Sequence, residues 1–225
     1  MALDELFGSP REEVWKQLCA EMRADFIDGG FWKGDKVELR VDDAWLITLD
    51  VFSVVRGKRR KKYTRLRVPF VSLDDFRFLV YRKGLFTDLG KMLGTQDVEV
   101  GDPGFDEEFV IQGNNVAKLK ALFARESIQQ LLQYQPEVRF EVRDNLGRFW
   151  EALPASVDVL YFQVEGVMTD LNLLKGLFYL FMATLQELYR MGTVSKMDPG
   201  VKLRMPGSSR LSPSPSWSSR SWVSS

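Results

Sequence analysis

The chain has 225 residues, long enough to bury a sizeable core, and its 31 basic and 31 acidic side chains give a formal net charge of zero. It contains no histidine and a single cysteine, Cys19. That composition excludes a Ser-His-Asp triad, a Cys-His pair, a histidine-built zinc site and an internal disulfide, and it gives no global charge bias toward nucleic acid.

The elements read as follows in chain order. Met1 to Phe7 carries acids and no basic segment, so no secretory signal is predicted. Ser9-Pro10-Arg11-Glu12 has the cap, the first-turn proline and the acid of a helix start. Trp15, Leu18, Met22 and Phe26 follow at helical spacing, and Gly29-Gly30 is the predicted stop. Cys19 lies on that stripe and is predicted to be a small buried hydrophobe. From Lys36 to Lys83 the period changes to two. Val37, Leu39 and Val41 alternate with Glu38 and Arg40, Asp42-Asp43 turns, and Ala44 to Val55 is apolar on both faces, as in a central strand. After a basic connection, Leu66, Val68 and Phe70 alternate with Arg65 and Arg67, and Pro69 predicts an edge strand or a strand end. Phe76, Phe78 and Val80 make a further strand after Asp74-Asp75.

The second half mixes elements. Thr87 to Leu93 predicts a short helix, and Asp97 to Val100 and Glu108 to Gln112 predict short strands. Asn114 or Asn115 caps a helix carrying Val116, Leu119, Leu122 and Phe123, with Ile128, Leu131 and Leu132 continuing it or forming a second helix before Pro136. Val138, Phe140 and Val142 alternate, Asn145-Leu146-Gly147 turns, and Val157 to Val167 is a strand. Thr169 or Asp170 then caps a long helix lined by Leu171, Leu174, Phe178, Met182, Leu185 and Leu188, which Gly192 stops. Its apolar stretch falls short of the roughly 20 residues of a membrane span. The fold class is α+β: an antiparallel meander with an N-terminal helix, then strands packed with a long C-terminal helix. The predicted organisation is a half over 1–93, a second half over 94–204 and a disordered Ser/Pro-rich tail over 205–225.

Three features could bear function. The sharpest is the basic hairpin over 56–67, where Arg56, Lys58, Arg59, Arg60, Lys61 and Lys62 put six positive charges within seven residues, with Arg65 and Arg67 beyond. Such a run solvates a strand edge or binds phosphate-bearing partners, either nucleic acid or an anionic membrane surface. The acidic clusters Asp42-Asp43, Asp74-Asp75 and Asp102 with Asp106, Glu107 and Glu108 suit turns, and alternatively carboxylate or metal chemistry. Gln112, Asn114 and Asn115 could line a polar cleft. No phosphate-cradling glycine motif is present.

The stretch Phe105-Asp106-Glu107-Glu108-Phe109-Val110-Ile111-Gln112-Gly113-Asn114-Asn115, followed by Leu119, Leu122-Phe123 and Ile128, resembles a signature of bacterial proteins of unknown function. There a phenylalanine-acid-x-x-phenylalanine strand leads through a polar turn into a helix. Leu160 to Val167 and the helix from Asp170 resemble the closing part of the same family, so the likeness spans roughly 97–203. It implies a bacterial source and an α+β domain, and no catalytic residue is carried over.

Together these readings favour a non-catalytic cytoplasmic binding or scaffolding module with a protein partner and no cofactor. Binding of an anionic partner through the basic hairpin is the alternative, and a carboxylate- or metal-dependent hydrolase is a third reading. Asp102, Asp106 and Glu108 gathered in one concave pocket would favour the hydrolase. The composition of the tail yields a first prediction. Truncation after Met205 should leave the unfolding free energy unchanged within about 0.5 kcal/mol in a denaturant titration. A loss of several kcal/mol would place Trp217 or Trp222 against the domain.

Overall fold

The structure is a computed structural model and describes residues 10–30, 34–84, 97–144, 153–201 and 203. The predicted helix over 87–93, the turn over 145–147 and the tail over 205–225 lie outside the described residues. The fold is α+β, with α1 (Pro10–Met22), β1 (Asp25–Ile27), β2 (Lys36–Val41), β3 (Trp45–Arg56), β4 (Arg59–Ser72), β5 (Phe78–Arg82), α2 (Pro103–Glu108), β6 (Phe109–Gly113), α3 (Val116–Phe123), α4 (Glu126–Tyr134), β7 (Arg139–Arg143), β8 (Val157–Glu165), α5 (Leu171–Arg190) and β9 (Val194–Ser195).

One antiparallel sheet runs through both halves of the chain, in the order β1-β2-β3-β4-β8-β7-β5-β6, with β9 on the end of β4. Strand β4 from the first half pairs with β8 from the second, and β5 lies between β7 and β6. One row of apolar side chains crosses seven strands in direct register: Val37, Leu49, Leu66, Phe162, Phe140, Val80 and Ile111. These side chains pack with the helices in a single core that includes Leu174, Phe178, Phe181 and Leu185 of α5. Phe140 and Phe181 meet with ring centroids 5.4 Å apart. Helix α5 also packs against α1 and α4, so its flank is buried as well as its sheet-facing side. A Cβ on Gly176 would lie 3.0 Å from Gln135 Nε2 and 3.1 Å from the Tyr134 ring, which keeps a larger residue out of the α4–α5 contact. Among the described residues no helix is long and apolar enough to cross a membrane.

Local chemistry explains the element boundaries. Asp170 caps α5 by accepting from Leu173 N at 2.9 Å, and Asn115 caps α3 by accepting from Lys118 N at 3.0 Å. Ala124 and Arg125 separate α3 from α4. Asp42 and Asp43 both take positive φ, 52° and 54°, and Ala44 N donates to the Val41 carbonyl, the geometry of a primed hairpin turn.

Several expectations need correction. Helix α1 ends at Met22, not at Gly29: Arg23 turns to φ 55°, and Asp25–Ile27 leaves to pair with β2, taking Phe26 off the helix. Pro69 lies inside β4, three residues before its end at Ser72, and β4 is a central strand, not an edge. The proline is tolerated because the β3 ladder stops at Arg67 and β9 takes up that side only from Val71, so no N–H is needed between them. Over 97–100 only a bridge from Asp97 to Gln112 forms. The Phe105 segment is helical, not extended. Asp102 accepts from Phe105 N at 3.0 Å and Pro103 occupies the first turn, so the strand begins only at Phe109. Four-residue helical spacing then stacks Phe105 on Phe109, centroids 4.6 Å apart, and both rings are buried. Phe109→Ala should therefore cost about 3–5 kcal/mol in a denaturant titration, and a loss near zero with the fold intact would overturn this packing.

Candidate functional site

The β3–β4 hairpin is closed by Gly57 and Lys58, and Gly57 takes φ 60°, the position a type II′ turn reserves for glycine. This two-residue turn pairs Arg56 with Arg59, Phe52 with Tyr63 and Asp50 with Arg65. Strand β2 accompanies β3 only as far as Asp50, and β8 accompanies β4 only from Thr64. Gly166, just past β8, still donates to the Lys62 carbonyl at 2.8 Å, and beyond that contact the hairpin is a two-stranded arm projecting past the sheet.

Alternation along β4 places the even positions on the helix side and the odd positions on the reverse face. Each group has a different fate. Lys58, Arg59, Arg60, Lys61 and Lys62 are exposed on the arm. Lys61 pairs with Glu165 at 2.8 Å, an ion pair about half exposed on both sides. Lys58, Arg59, Arg60 and Lys62 have no acidic partner among the described residues. Arg56 lies on the same arm as the pairing partner of Arg59.

Arg65 and Arg67 do not belong to this exposed set. Both are buried on the reverse face around Asp50, which has no solvent exposure. Arg65 Nε and Nη2 donate to the two Asp50 carboxylate oxygens at 2.8 and 2.9 Å, and Arg67 donates to the same carboxylate. Burial pulls the Arg67 guanidinium down to about 10, with Asp50 opposing the shift, so it stays charged at neutral pH. The polar row continues across the sheet through Tyr161 and Glu141. Burial pushes the Glu141 carboxyl up, but the hydrogen bonds and charges of Arg143 and Arg139 outweigh it and hold the group below its usual range. The Arg143 guanidinium lies 3.8 Å from the Tyr161 ring centroid. Leu153 and Leu203 pack over Val159 and Tyr161 on this face.

Between the buried charges and the exposed tip lies a cleft of about 330 Å³ lined by Phe52, Val54, Arg59, Lys61, Tyr63 and Gln163. The Phe52 and Tyr63 rings stack across the strands at 5.4 Å and 25°, and the Arg65 guanidinium sits 4.4 Å over Phe52. Of these lining residues, sequence reasoning identified only Arg59 and Lys61 as site candidates. The available signal was the two-residue turn, which by itself fixes the pairing of Phe52 with Tyr63.

The other candidates are committed to structure. Gln112 is buried and donates to Asp97 at 2.8 Å, away from Asn114 and Asn115. Asn114 accepts from Arg77 N at 2.8 Å and donates to the Asp75 carbonyl, while Asn115 is the α3 cap. These two asparagines border a shallow cleft of about 190 Å³ with Asp74 and Lys118, and Gln112 takes no part in it. Asp102 caps α2, Asp106 accepts from Val100 N and Gly101 N at 2.9 Å, and Glu108 pairs with Arg82. Among the described residues no group of acids is placed to hold a metal ion. Burial lifts the Cys19 thiol to about 11, which removes its nucleophilic character at neutral pH.

Comparison with family models, with curated proteins and with solved structures finds no match. The site is therefore defined by its geometry alone.

The Asp50 cluster generates a prediction of its own. Asp50→Ala removes the carboxylate that both buried guanidiniums bond and should cost about 3–5 kcal/mol in a denaturant titration. The triple substitution Asp50→Leu, Arg65→Met, Arg67→Leu should recover much of that loss, because it removes the charges together. A single variant as stable as the parent would show that the carboxylate is not what holds the two arginines.

Proposed function

We propose that this chain is a non-catalytic cytoplasmic binding module that holds a phosphate-bearing polyanion through the β3–β4 arm. The observation that supports this reading is the contrast between the arm and the remainder of the molecule. Net charge is zero and many basic side chains have acidic partners, among them Arg11, Lys36, Arg77, Arg82, Lys118, Arg139, Arg143 and Lys175. On the arm, Lys58, Arg59, Arg60 and Lys62 stand exposed without one among the described residues. Like charges held this close repel one another, and a polyanion relieves that repulsion while releasing its own counterions. A loop needed only to protect a strand edge would do so with fewer charges of one sign. The acids weighed for hydrolysis are engaged in caps and ion pairs, which favours a binding role over a reaction.

Salt dependence is the test. Four basic side chains engaging four phosphates of a single strand imply that affinity falls roughly fifty-fold between about 50 and about 200 mM salt. The full chain is titrated by fluorescence anisotropy against labelled single- and double-stranded DNA and RNA, and by sedimentation against phosphatidylserine vesicles. A variant with Lys58, Arg59, Arg60 and Lys62 changed to Ser runs alongside. Binding that weakens steeply with salt and disappears in the variant is expected. No binding to any of these probes at about 50 mM salt, where electrostatics are strongest, would overturn the reading.

A further inference from the structure

We infer that the cleft at the root of the arm accepts an unpaired nucleobase, so that the polyanion is single-stranded nucleic acid; this rests on the reading of the arm as a phosphate-binding element. The cleft combines three features that a bare cationic loop lacks. Its floor is aromatic: Phe52 and Tyr63 stack across the strands, both rings half-buried. That floor is rigid, because the Arg65 guanidinium lies 4.4 Å over Phe52 and is itself fixed by two hydrogen bonds to buried Asp50. A preformed aromatic surface meets a base without ordering costs at the moment of binding. Its rim is cationic, because Arg59 and Lys61 line the same cleft, while the alternation of the strands sets Arg60 and Lys62 on the opposite face of the arm. Phosphates on either side of an inserted base would meet Arg59 and Lys61.

Gln163 adds a polar contact. Its Oε1 accepts from the Tyr161 hydroxyl at 2.8 Å, and its Nε2 has no partner among the described residues, leaving donors for a base carbonyl. The Lys61–Glu165 pair is the opposing feature, since it sets a carboxylate near the rim. Both groups are about half exposed, so the pair is weak and a phosphate can take the place of Glu165 on Lys61.

Size and shape decide among polyanions. A cleft of about 330 Å³ has room for a flat ring laid on Tyr63. In a duplex the ring faces are covered by neighbouring bases, so only unpaired strands can present one. A bilayer is disfavoured because the two rings lie in a concavity, whereas membrane anchors must protrude into the interface. Val55, 62 % exposed on the arm, is the one large apolar side chain there that stands out from the surface among the described residues.

The experiment compares two labelled oligomers of equal length and charge on the full chain at low salt. One is an oligothymidylate of about twelve nucleotides; the other has the same backbone with abasic sites throughout. Stacking of one base predicts roughly ten-fold tighter binding of the base-bearing strand. Tyr63→Ala should abolish that advantage while leaving the abasic affinity unchanged, and Tyr63→Phe, which keeps the ring, should retain it. Circular dichroism confirms that each variant is folded. The comparison of oligomers on the unaltered protein stands even where Tyr63→Ala does not fold. Equal, salt-sensitive binding of the two oligomers overturns the base cleft and leaves the polyanion reading intact, as does a duplex bound as tightly as the single strand. Absence of binding to both at low salt overturns both readings.

Discussion

A carboxylate with no access to water must have its counter-charges brought to it, and Asp50 is such a group. Its position opposite Arg65 and one pair from Arg67 makes the β3–β4 register a matter of charge as well as of shape. A slip of one residue would turn Arg65 and Arg67 toward the apolar core and bring Leu66 and Val68 to the reverse face. Such a slip would strand a buried carboxylate and two guanidiniums at once. The register held in this way carries outward along the hairpin. It sets Phe52 against Tyr63 and leaves the cationic residues beyond the last support from β2 and β8. The arm is thus an extension of the most firmly specified pair of strands in the sheet.

The two faces of this sheet are stabilised by different physics. The helix side relies on burial of aliphatic and aromatic surface, which tolerates small shifts of packing. The reverse side runs through Arg67, Tyr161 and Glu141 in one register row, with Arg143 stacked over Tyr161. Hydrogen bonds and charge contacts in a setting of low dielectric are more directional and punish misplacement more heavily. Specificity of strand order can come from this side even where its net contribution to stability is small.

Much of the architecture was legible from local patterns. The change of period at Lys36, the apolar run of β3, and the helix starts at Thr169 or Asp170 and at Asn114 or Asn115 all follow from chemistry within a few residues, although only the structure picks Asp170 and Asn115 as the caps. Where reading failed, two local signals competed. Phe105 and Phe109 suit a helix or an extended segment, and the deciding cue was Asp102-Pro103, a cap followed by a first-turn proline. Phe26 continued the helical stripe of α1, yet the pairing of Asp25–Ile27 with β2 overrode it. The meander order β2-β3-β4 was legible from its short turns, but the order beyond it was not: β5 leaves the meander to lie between β7 and β6, and the partnership of β4 with β8 joins residues far apart in the chain that no local pattern encodes. For the same reason Arg65 and Arg67 read as part of a cationic surface. Alternation says that they oppose the core, but it does not say that they are buried and bonded to Asp50. The charges of the arm could be counted in the sequence. The aromatic cleft beneath them needed the cross-strand register.

The buried thiol of Cys19 has a practical corollary. It is the chain's single cysteine, 8 % exposed and with its acidity suppressed, so at neutral pH alkylating reagents find almost no thiolate. The native protein is therefore a silent background for site-directed labelling. A cysteine introduced on the outward side of the arm, at Ser53 for example, would be the one reactive thiol presented to solvent. A spin label or fluorophore attached there would report on the arm alone, with no need to remove a native cysteine first.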